Sequence, residues 1–430
     1  MAQQKRHKRA KKAPPPARLA EARIDIVGAR GDGVAAVDGA RVYAPLTAPG
    51  DLVRLSYRGD RGEIDALLEP SPHRATPVCD YYGQCGGCAL QHLTTSFYRE
   101  WKRKLVLDAL AREGFGEDSV APLVACPSAS RRRATFAVRK AAQGAVFGFN
   151  ERASARIVDI SHCPVLAPAL DKALPALRSL AAAALARWRS FDMSATLCDN
   201  GIDVVFTGGD AADDLSGADI LRLTDAARGR GVIRISTDGA PIAMFETPVV
   251  RFGGVAVAPP PGGFLQASRE GEMALTKFVI GHAKGAKRVA DLFCGCGTFS
   301  LPLAAGSAVD AFDSDGAAVA ALDAAARSGG LRHPVKTERR NLFDRPLSAE
   351  ELKSYDAVVF DPPRAGARAQ AEQLSQSRVP VVIGVSCNPA SFARDAAMLR
   401  DGGYSLSHVV PVDQFVFSPH VELAGLFTKE

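Results

Sequence analysis

The sequence of 430 residues contains no run of about 18 uncharged apolar residues, the length that a membrane-spanning helix requires. Residues 1–18 hold seven Lys or Arg and no acidic residue, but Pro14, Pro15 and Pro16 stand where a secretory signal peptide would have its apolar core. We therefore expect a cytoplasmic protein that makes no membrane contact and that begins with a disordered basic arm over residues 1–17.

The rest of the chain has little net charge. The formal net charge of the chain is +6. Residues 1–18 contribute +7, so residues 19–430 carry a net charge of about −1. Such an arm can bind phosphate groups without sequence preference, although a solubilising tail would have the same composition. Any nucleic-acid surface on the folded part must then be a local patch.

A disulfide framework is not expected, because the nine cysteines belong to a long chain without a secretory signal and the cytosol keeps thiols reduced. Cys79-x5-Cys85-x2-Cys88, with Cys163-Pro164 farther along, instead supplies four thiolates. Four soft ligands suit zinc or an iron–sulfur cluster, and this spacing serves both. Four unrelated thiols are the alternative.

Changes of texture divide the chain. Residues 23–70 consist of short β-runs broken by glycine turns such as Gly31-Asp32-Gly33, which predicts a small five-stranded barrel of the OB type, or else an inert β appendage. A mixed region follows over residues 121–262. From about residue 287, strands and helices alternate, which predicts a doubly wound parallel sheet that binds ligands at the carboxyl ends of its strands.

Two basic segments precede that sheet. Residues 94–113 have an amphipathic helical pattern with a polar side that we interpret as a solvated face. Its basic residues are Arg99, Lys102, Arg103 and Lys104. Residues 131–140 alternate as a strand that places Phe136 and Val138 on one face, and the arginines at 131–133 are candidates for phosphate contacts.

In the alternating region, strands are predicted at residues 288–293, 308–313, 355–361 and 379–386, with helices at 317–326 and 391–399. The first strand leads into Cys294-Gly295-Cys296-Gly297, where the glycines allow a sharp turn close to a ligand. A dinucleotide-binding turn needs a third glycine three positions later, and Ser300 stands there instead. This departure disfavours NAD and fits a ligand without phosphate, such as S-adenosylmethionine.

Further polar residues follow the other strands. Asp313, at the end of the second strand, can accept both ribose hydroxyls, and Asp361-Pro362-Pro363-Arg364 begins at the end of the strand at 355–361. The strand at 379–386 delivers Ser386-Cys387-Asn388-Pro389 to the same edge. A cysteine after a strand is more often inert, but this position makes Cys387 a candidate nucleophile. Glu422 is the candidate base, and its alternative is an exposed acid on an edge strand.

Together these motifs resemble the RNA uridine-5-methyltransferase family, in the branch with an N-terminal TRAM domain and a [4Fe–4S] cluster that modifies bacterial 23S ribosomal RNA. The matching segments follow the family order over nearly the whole chain, at Cys79 and at residues 85–93, 159–166, 264–266, 291–299, 361–366, 386–389 and 420–422. Departures occur at residues 267–268, 324–327 and 416–419, in loops near the donor or the RNA. They leave the target nucleotide open.

The resemblance implies an S-adenosylmethionine-dependent enzyme that methylates carbon 5 of a uridine. Cys387 would bond to carbon 6, and Glu422 would remove the C5 proton. The [4Fe–4S] cluster would be held by Cys79, Cys85, Cys88 and Cys163. The methyl-donor pocket would be lined by Gln266, Phe293, Thr298, Asp313, Asn341 and Asp361. The expected partner of this monomer is RNA, with 23S ribosomal RNA preferred and transfer RNA as the runner-up.

The implied fold class is α/β with three folded domains. After the arm, residues 18–72 form the TRAM or OB-like barrel. Residues 73–91 and 126–262 form a central α+β domain that carries the cluster and binds RNA. Residues 92–125 and 263–430 form a Rossmann-like methyltransferase domain.

Two rival functions stay open. Asp-Pro-Pro followed by an aromatic residue marks amino-methyltransferases, but Arg364 stands in the aromatic position here and that chemistry needs no thiol. The second rival is a non-catalytic RNA-binding factor on the same fold. It predicts that Cys387→Ala changes only stability, and that modestly.

Overall fold

The computed structural model describes residues 16–142, 144–208, 215–237 and 239–429. The predicted basic arm lies almost entirely outside these residues. The described chain divides into two compact units, one of Met1–Pro77 with Ala89–Phe97 and one of Val78–Cys88 with Tyr98–Glu430. Within the described residues, no helix is long and apolar enough to cross a membrane.

The first unit contains a closed barrel. Over the described residues 18–69 its strands are β1 (Arg18–Val27), β2 (Gly33–Val37), β3 (Ala40–Ala44), β4 (Leu52–Arg58) and β5 (Arg61–Glu69). They close in the order β1-β2-β3-β5-β4. Every second residue points inward, so that Val53 and Leu55 of β4 are fully buried while their neighbours are not. The predicted five-stranded barrel is confirmed.

In the described chain, the next elements include the seven strands of a mixed sheet, four helices, and one two-residue strand that joins a later sheet. They are α1 (Thr95–Arg112), β6 (Val124–Ala125), β7 (Arg133–Ala141), β8 (Gly144–Asn150), β9 (Ile157–Asp159), α2 (Pro168–Lys172), α3 (Leu174–Ala184), β10 (Ser190–Leu197), β11 (Ile202–Thr207), α4 (Gly217–Ala227), β12 (Val232–Thr237) and β13 (Ala240–Met244). The sheet order is β13-β12-β11-β10-β7-β8-β9. Phe136 and Val138 lie on the buried face of β7, as the alternation predicted.

The remaining elements are an antiparallel pair of strands, a region in which helix and strand alternate, and a final pair of strands. They are β14 (Val250–Phe252), β15 (Val255–Val257), α5 (Arg269–His282), β16 (Arg288–Leu292), α6 (Ser300–Leu303), β17 (Ala308–Asp313), α7 (Gly316–Ser328), β18 (Val335–Arg339), α8 (Ala349–Leu352), β19 (Ala357–Phe360), α9 (Arg368–Ser375), β20 (Val381–Ser386), α10 (Pro389–Asp401), β21 (Ser405–Asp413) and β22 (Glu422–Thr428).

This C-terminal sheet has the order β18-β17-β16-β19-β20-β22-β21-β6. The five neighbouring strands β18, β17, β16, β19 and β20 run parallel, as predicted. Strand β22 runs antiparallel to both β20 and β21. The predicted parallel sheet is therefore confirmed for β18, β17, β16, β19 and β20 and does not extend to β22. Residues 414–421 are too few for a crossover helix, so β21 and β22 can pair only as antiparallel neighbours.

The parallel strands are apolar on both faces, because helices cover both sides of the sheet. Val358 and Phe360 of β19 pack in one cluster with residues of α1, α9 and α10. Ala357 and Val359 pack in another cluster with residues of α5. Because these strands are parallel, their carboxyl ends all lie at one edge of the sheet. Since β22 is antiparallel and pairs Leu423 with Ser386, Glu422 begins at the edge where Cys387 follows β20.

Candidate active site

The turn after β16 has a backbone that few residues tolerate. Phe293, Gly295 and Gly297 have φ angles of 63°, 52° and 95°. A Cβ atom on Gly297 would lie 2.4 Å from Cδ1 of Leu322, so a side chain is excluded there by space as well as by conformation. A Cβ atom on Gly295 would meet no heavy atom of the described chain within 4 Å. The turn therefore leaves open space beside its backbone, where a ligand can approach closely.

Two acids hold this turn, the half-buried Asp313 and the buried Asp291. Asp313 accepts hydrogen bonds from the backbone N–H of Gly295 and of Asp315, each at 2.9 Å. Its oxygens keep further lone pairs for ribose hydroxyls, but its carboxylate also fixes the turn. Asp291 accepts a hydrogen bond from the Ser300 hydroxyl, and burial raises its pKa to about 7. Ser300, which replaces the third glycine, thus ties the start of α6 to the end of β16.

Other predicted donor-pocket residues lie on the loops that follow the strands. Thr298 is buried in the turn, and the Phe293 ring lies 5.5 Å from the ring of Phe343. Asn341 follows β18, but its side chain is exposed and bonds within its own loop to Asp344 and to the N–H of Phe343. Asn341 therefore shapes the loop that carries Phe343.

Gln266 and Asp361 are in direct contact. Nε2 of Gln266 donates a hydrogen bond to Oδ2 of Asp361 at 3.1 Å. Burial raises the pKa of Asp361 to about 7, against the opposing effect of this hydrogen bond. The N–H of Asp361 in turn bonds to the carbonyl of Leu292, which joins the ends of β19 and β16. Asp361 thus lies beside the glycine turn.

Cys387 is half-buried among charged groups. Burial raises the pKa of its thiol to about 11, and the charges of Glu422 and Asp361 raise it as well. Arg364 lowers it, because its guanidinium is close and hydrogen-bonds the sulfur. The loop of Arg364 is held by Asn388, whose Nδ2 donates to the Arg364 carbonyl at 3.0 Å. At neutral pH the free protein therefore holds Cys387 as a thiol.

Glu422 is 3% exposed, so the alternative of an exposed edge acid is wrong. Burial raises the pKa of Glu422, and the neighbouring charge of Asp361 raises it further, to about 8. The structure thus brings together three acidic groups at one edge of the sheet, namely Asp361 after β19, Cys387 after β20 and Glu422 at the start of β22. Each makes the charged state of the others less favourable.

Gln414 belongs to this site although the sequence analysis missed it. It is 2% exposed, and its Nε2 lies 2.7 Å from Oε1 of Gln266 and 2.6 Å from Oε2 of Glu422. Its Oε1 accepts a hydrogen bond from the N–H of Ala267 at 3.0 Å. A neutral amide carries no signal in a sequence. Its position directly after β21, at the edge where Glu422 begins, is the one feature that could have identified it.

The loop between β21 and β22 is fastened by helix α1. Lys102 is completely buried, and its ammonium donates to Asp413 at 2.8 Å, to the carbonyl of Phe415 at 3.2 Å and to the carbonyl of His420. The Tyr98 hydroxyl also donates to Asp413, at 2.5 Å. The prediction of a solvated Lys102 is wrong. It lies four residues from both Tyr98 and Val106, which puts it on their buried face.

The predicted phosphate contact of Arg132 is also wrong. Its side chain is buried, forms an ion pair with Glu272 and donates to the carbonyl of Gln266 at 2.8 Å. Arg132 therefore positions Gln266. Arg131 and Arg133 are half-buried, and Arg133 bonds to the carbonyls of Gly262 and Gly263.

The four cysteines of the predicted metal centre, Cys79, Cys85, Cys88 and Cys163, are half-buried and form no disulfide. The pKa of Cys163 is raised chiefly by burial and further by the charges of Cys79 and Cys85, so these three are neighbours. Among the residues that the structure describes, no group of three or more His, Cys, Asp or Glu is arranged to hold a metal ion.

Known proteins resemble this chain over nearly all of its length. The family profile described as tRNA (Uracil-5-)-methyltransferase matches residues 333–430. An uncharacterized RNA methyltransferase of Brucella suis biovar 1 is 45% identical over 406 residues, which cover 94% of this chain and 97% of that protein. The 23S rRNA (uracil(1939)-C(5))-methyltransferase of Chromohalobacter salexigens is 34% identical over 91% of this chain and 85% of that protein.

A solved structure supports the same fold. The tRNA (uracil-54, C5)-methyltransferase of Pyrococcus abyssi, in complex with S-adenosyl-L-homocysteine, superposes with a TM-score of 0.73 at 24% identity. The superposition covers 95% of this chain and 99% of that one. The resemblance drawn from the order of the motifs is confirmed by these relatives, and the chain belongs to the RNA uracil-5-methyltransferase family and is an enzyme of that family.

Proposed function

We propose that this protein transfers the methyl group of S-adenosylmethionine to carbon 5 of a uridine in 23S ribosomal RNA, through a covalent bond between Cys387 and carbon 6. The observation that carries the proposal is the grouping of Cys387, Glu422 and Asp361 at one edge of the sheet, next to the open turn after β16.

The role of each residue follows from the chemistry of the pyrimidine ring. Carbon 5 is a poor nucleophile until a thiolate adds to carbon 6 and forms an enolate. Cys387 forms the S–C6 bond, and Arg364 favours the thiolate form of its sulfur. S-adenosylmethionine supplies the methyl group that the enolate takes up at carbon 5. Glu422 then accepts the C5 proton, and the S–C6 bond breaks.

The high pKa of Cys387 makes RNA binding part of the activation. A thiol with a pKa of about 11 is almost wholly protonated near pH 7. As the sulfur of the thiol bonds to carbon 6 of the docked uridine, its proton passes to solvent water and the enolate oxygen takes over the negative charge. A uridine in folded RNA is also stacked, so the enzyme has to extrude the base at a cost of a few kcal/mol. The thiolate of Cys387 thus forms only when the uracil ring is in place to react with it.

The donor pocket would be lined by the residues that surround the glycine turn. They are Gln266, Phe293, Thr298, Asp313, Asn341 and Asp361. The open space at Gly295 lets a ligand approach the backbone, and Ser300 removes the third glycine of a phosphate-binding turn. Buried acids such as Asp361 suit a sulfonium cation. A bound S-adenosyl-L-homocysteine in the archaeal protein of the same fold is consistent with this assignment.

The choice of 23S ribosomal RNA follows the relative from Chromohalobacter salexigens, which acts on that RNA. The archaeal protein of the same fold acts on transfer RNA, which is the alternative substrate. The N-terminal barrel supports an RNA partner, since small closed barrels of this size are frequent nucleic-acid platforms. We propose that the protein acts as a monomer, with the domain boundaries predicted from its sequence.

We further propose that Cys79, Cys85, Cys88 and Cys163 hold a [4Fe–4S] cluster with a structural role. The support is the donor set, four half-buried cysteines outside any disulfide of which Cys79, Cys85 and Cys163 are neighbours, and not a preformed coordination geometry. Protein purified without oxygen should contain iron and sulfide in equal amounts, and Cys85→Ser should lose both. A stoichiometric zinc content without sulfide would contradict the cluster.

Mass spectrometry of nucleosides from defined RNA fragments tests the substrate. Fragments of 23S ribosomal RNA from a strain without this gene should lack one 5-methyluridine that the parent strain has. Plasmid-borne wild-type protein should restore it, and Cys387→Ala should not. Loss from transfer RNA alone would assign the runner-up substrate. Unchanged 5-methyluridine in every fragment would overturn the proposed function.

A further inference from the structure

The amide of Gln414 has a fixed orientation. Its oxygen accepts a hydrogen bond from the backbone N–H of Ala267 at 3.0 Å, and a backbone N–H cannot act as an acceptor. The NH2 end of Gln414 must therefore point to the opposite side, toward Gln266 and Glu422. Since the side chain is buried, water does not compete for these contacts.

The orientation of Gln414 also sets that of Gln266. Nε2 of Gln414 donates to Oε1 of Gln266 at 2.7 Å, so the NH2 of Gln266 faces away, and it donates to Asp361 at 3.1 Å. The backbone of Gln266 is held independently, because its carbonyl accepts a hydrogen bond from Arg132. One backbone N–H, at Ala267, thus determines the direction of a hydrogen-bonded chain that ends at Asp361.

The second N–H of Gln414 points to Glu422. The distance from Nε2 to Oε2 of Glu422 is 2.6 Å, and this hydrogen bond favours the ionised carboxylate. The titratable groups that face Glu422 act in the opposite direction. Asp361 follows β19 and Cys387 follows β20, and both are acids. At the end of β21, the charge of Asp413 is paired with Lys102. Gln414 therefore supplies the polar contact that favours a negative charge on Glu422.

We propose that Gln414 is the positioning residue of this reaction, which favours the ionised form of Glu422, aims it as the base and links it through Gln266 to Asp361 in the donor pocket. The inference rests on the proposed function and deepens it. Gln414 reaches no reacting atom itself. Its larger effect should fall on the last steps, in which the C5 proton leaves and the S–C6 bond breaks, and the contact through Gln266 should affect adduct formation less.

Gln414→Met tests the proposal, because methionine has a similar length and neither donates nor accepts a strong hydrogen bond. Without the donor, the pKa of Glu422 rises, and a rise of one pH unit leaves about tenfold less carboxylate at pH 7. The methylated RNA should then remain attached to Cys387 for longer. The matched control is Gln370→Met, since Gln370 is also buried in the second unit but bonds to the backbone of Leu347.

The measurement is a single turnover with methyl-labelled S-adenosylmethionine and a 23S ribosomal RNA fragment, between pH 6 and pH 9.5. Label on RNA that stays bound to denatured protein reports the adduct, and label on free RNA reports its resolution. We expect Gln414→Met to form the adduct within about threefold of the wild-type rate and to resolve it about tenfold more slowly at pH 7. The deficit should shrink as the pH rises, and Gln370→Met should match the wild type.

A second variant guards against misfolding of the first. Gln414→Glu is nearly isosteric but places another acid beside Glu422, so the same pH profile should move at least as far in the same direction. Wild-type resolution kinetics in both variants would overturn the proposal. A deficit of equal size at every pH would also overturn it, because that is the signature of a purely structural residue. If the wild-type protein itself forms no adduct, the proposed function fails first.

Discussion

Replacing the buried Lys102 by methionine should weaken the second unit considerably. The Lys102 ammonium contacts Asp413 and the carbonyls of Phe415 and His420, and methionine fills similar volume without any of these bonds. Asp413 would then stay buried as a carboxylate with Tyr98 as its remaining hydrogen-bond donor among the contacts described above. Breaking a buried ion pair from one side typically costs about 3–5 kcal/mol, because it leaves an uncompensated charge. We expect a loss of that size.

Lys104→Met is the matched control on the same helix. Its side chain is 68% exposed and pairs with Asp108 one turn away, so the loss should be below about 0.5 kcal/mol. Adding Asp413→Asn to Lys102→Met removes the stranded charge, and the double variant should recover a large part of the loss. Tyr98 can still donate to the amide oxygen of such an asparagine.

Urea unfolding and hydrogen exchange together measure this effect. Urea midpoints give the change in the free energy of unfolding. Exchange of the amides in residues 413–422 shows whether the loop between β21 and β22 opens first, as loss of the Lys102 clamp requires. A cost below about 1 kcal/mol for Lys102→Met, or no recovery on adding Asp413→Asn, would refute the reasoning.

Further expectations concern Glu422 and the glycine turn. The folded-state pKa of Glu422 is raised to about 8, above its pKa in the unfolded chain. Ionisation of Glu422 therefore lowers the free energy of unfolding progressively as the pH rises between these two pKa values. Glu422→Gln should therefore abolish turnover but raise the free energy of unfolding at pH 9 by about 2 kcal/mol or more, with little change at pH 4, as urea titrations at both pH values would reveal. Gly297→Ala should lower stability by at least about 1–2 kcal/mol in the same assay, since it combines φ 95° with a clash against Leu322. Gly295→Ala, with open space around its Cβ, should cost less stability but weaken S-adenosylmethionine binding by calorimetry, and the reverse pattern would place the donor elsewhere.

Much of the fold could be predicted because period and composition are local signals. The strands at 288–292, 308–313, 357–360 and 381–386 lie where apolar runs predicted them, and the glycine-punctuated segment forms the barrel. Strand ends in a parallel sheet share one edge, so the motifs also predicted that Cys387 and Asp361 would lie together. The antiparallel direction of β22 was not predicted. The direction of a strand depends on the length of the connection before it, and that length is known only when both flanking strands have been located.

The parts of the site that escaped prediction are those set by tertiary contacts. Lys102 has the residue type of a solvated face, yet a buried aspartate from a strand some 300 residues away compensates its charge. Arg132 is similar, since Glu272 and the Gln266 carbonyl satisfy it. Gln414 has no charge or motif to identify it. For Asp313, the backbone bonds that hold the glycine turn become visible only when the turn is folded.

The covalent bond to Cys387 can be tested directly with RNA that carries 5-fluorouridine. Fluorine at carbon 5 blocks the final proton removal, so the adduct should persist on a denaturing gel. After digestion with trypsin, the peptide of residues 379–394 should carry the methylated fluorouridine on Cys387, and Cys387→Ala should give no complex. Methylation without any covalent complex, or an adduct on another residue, would contradict the role of this thiol.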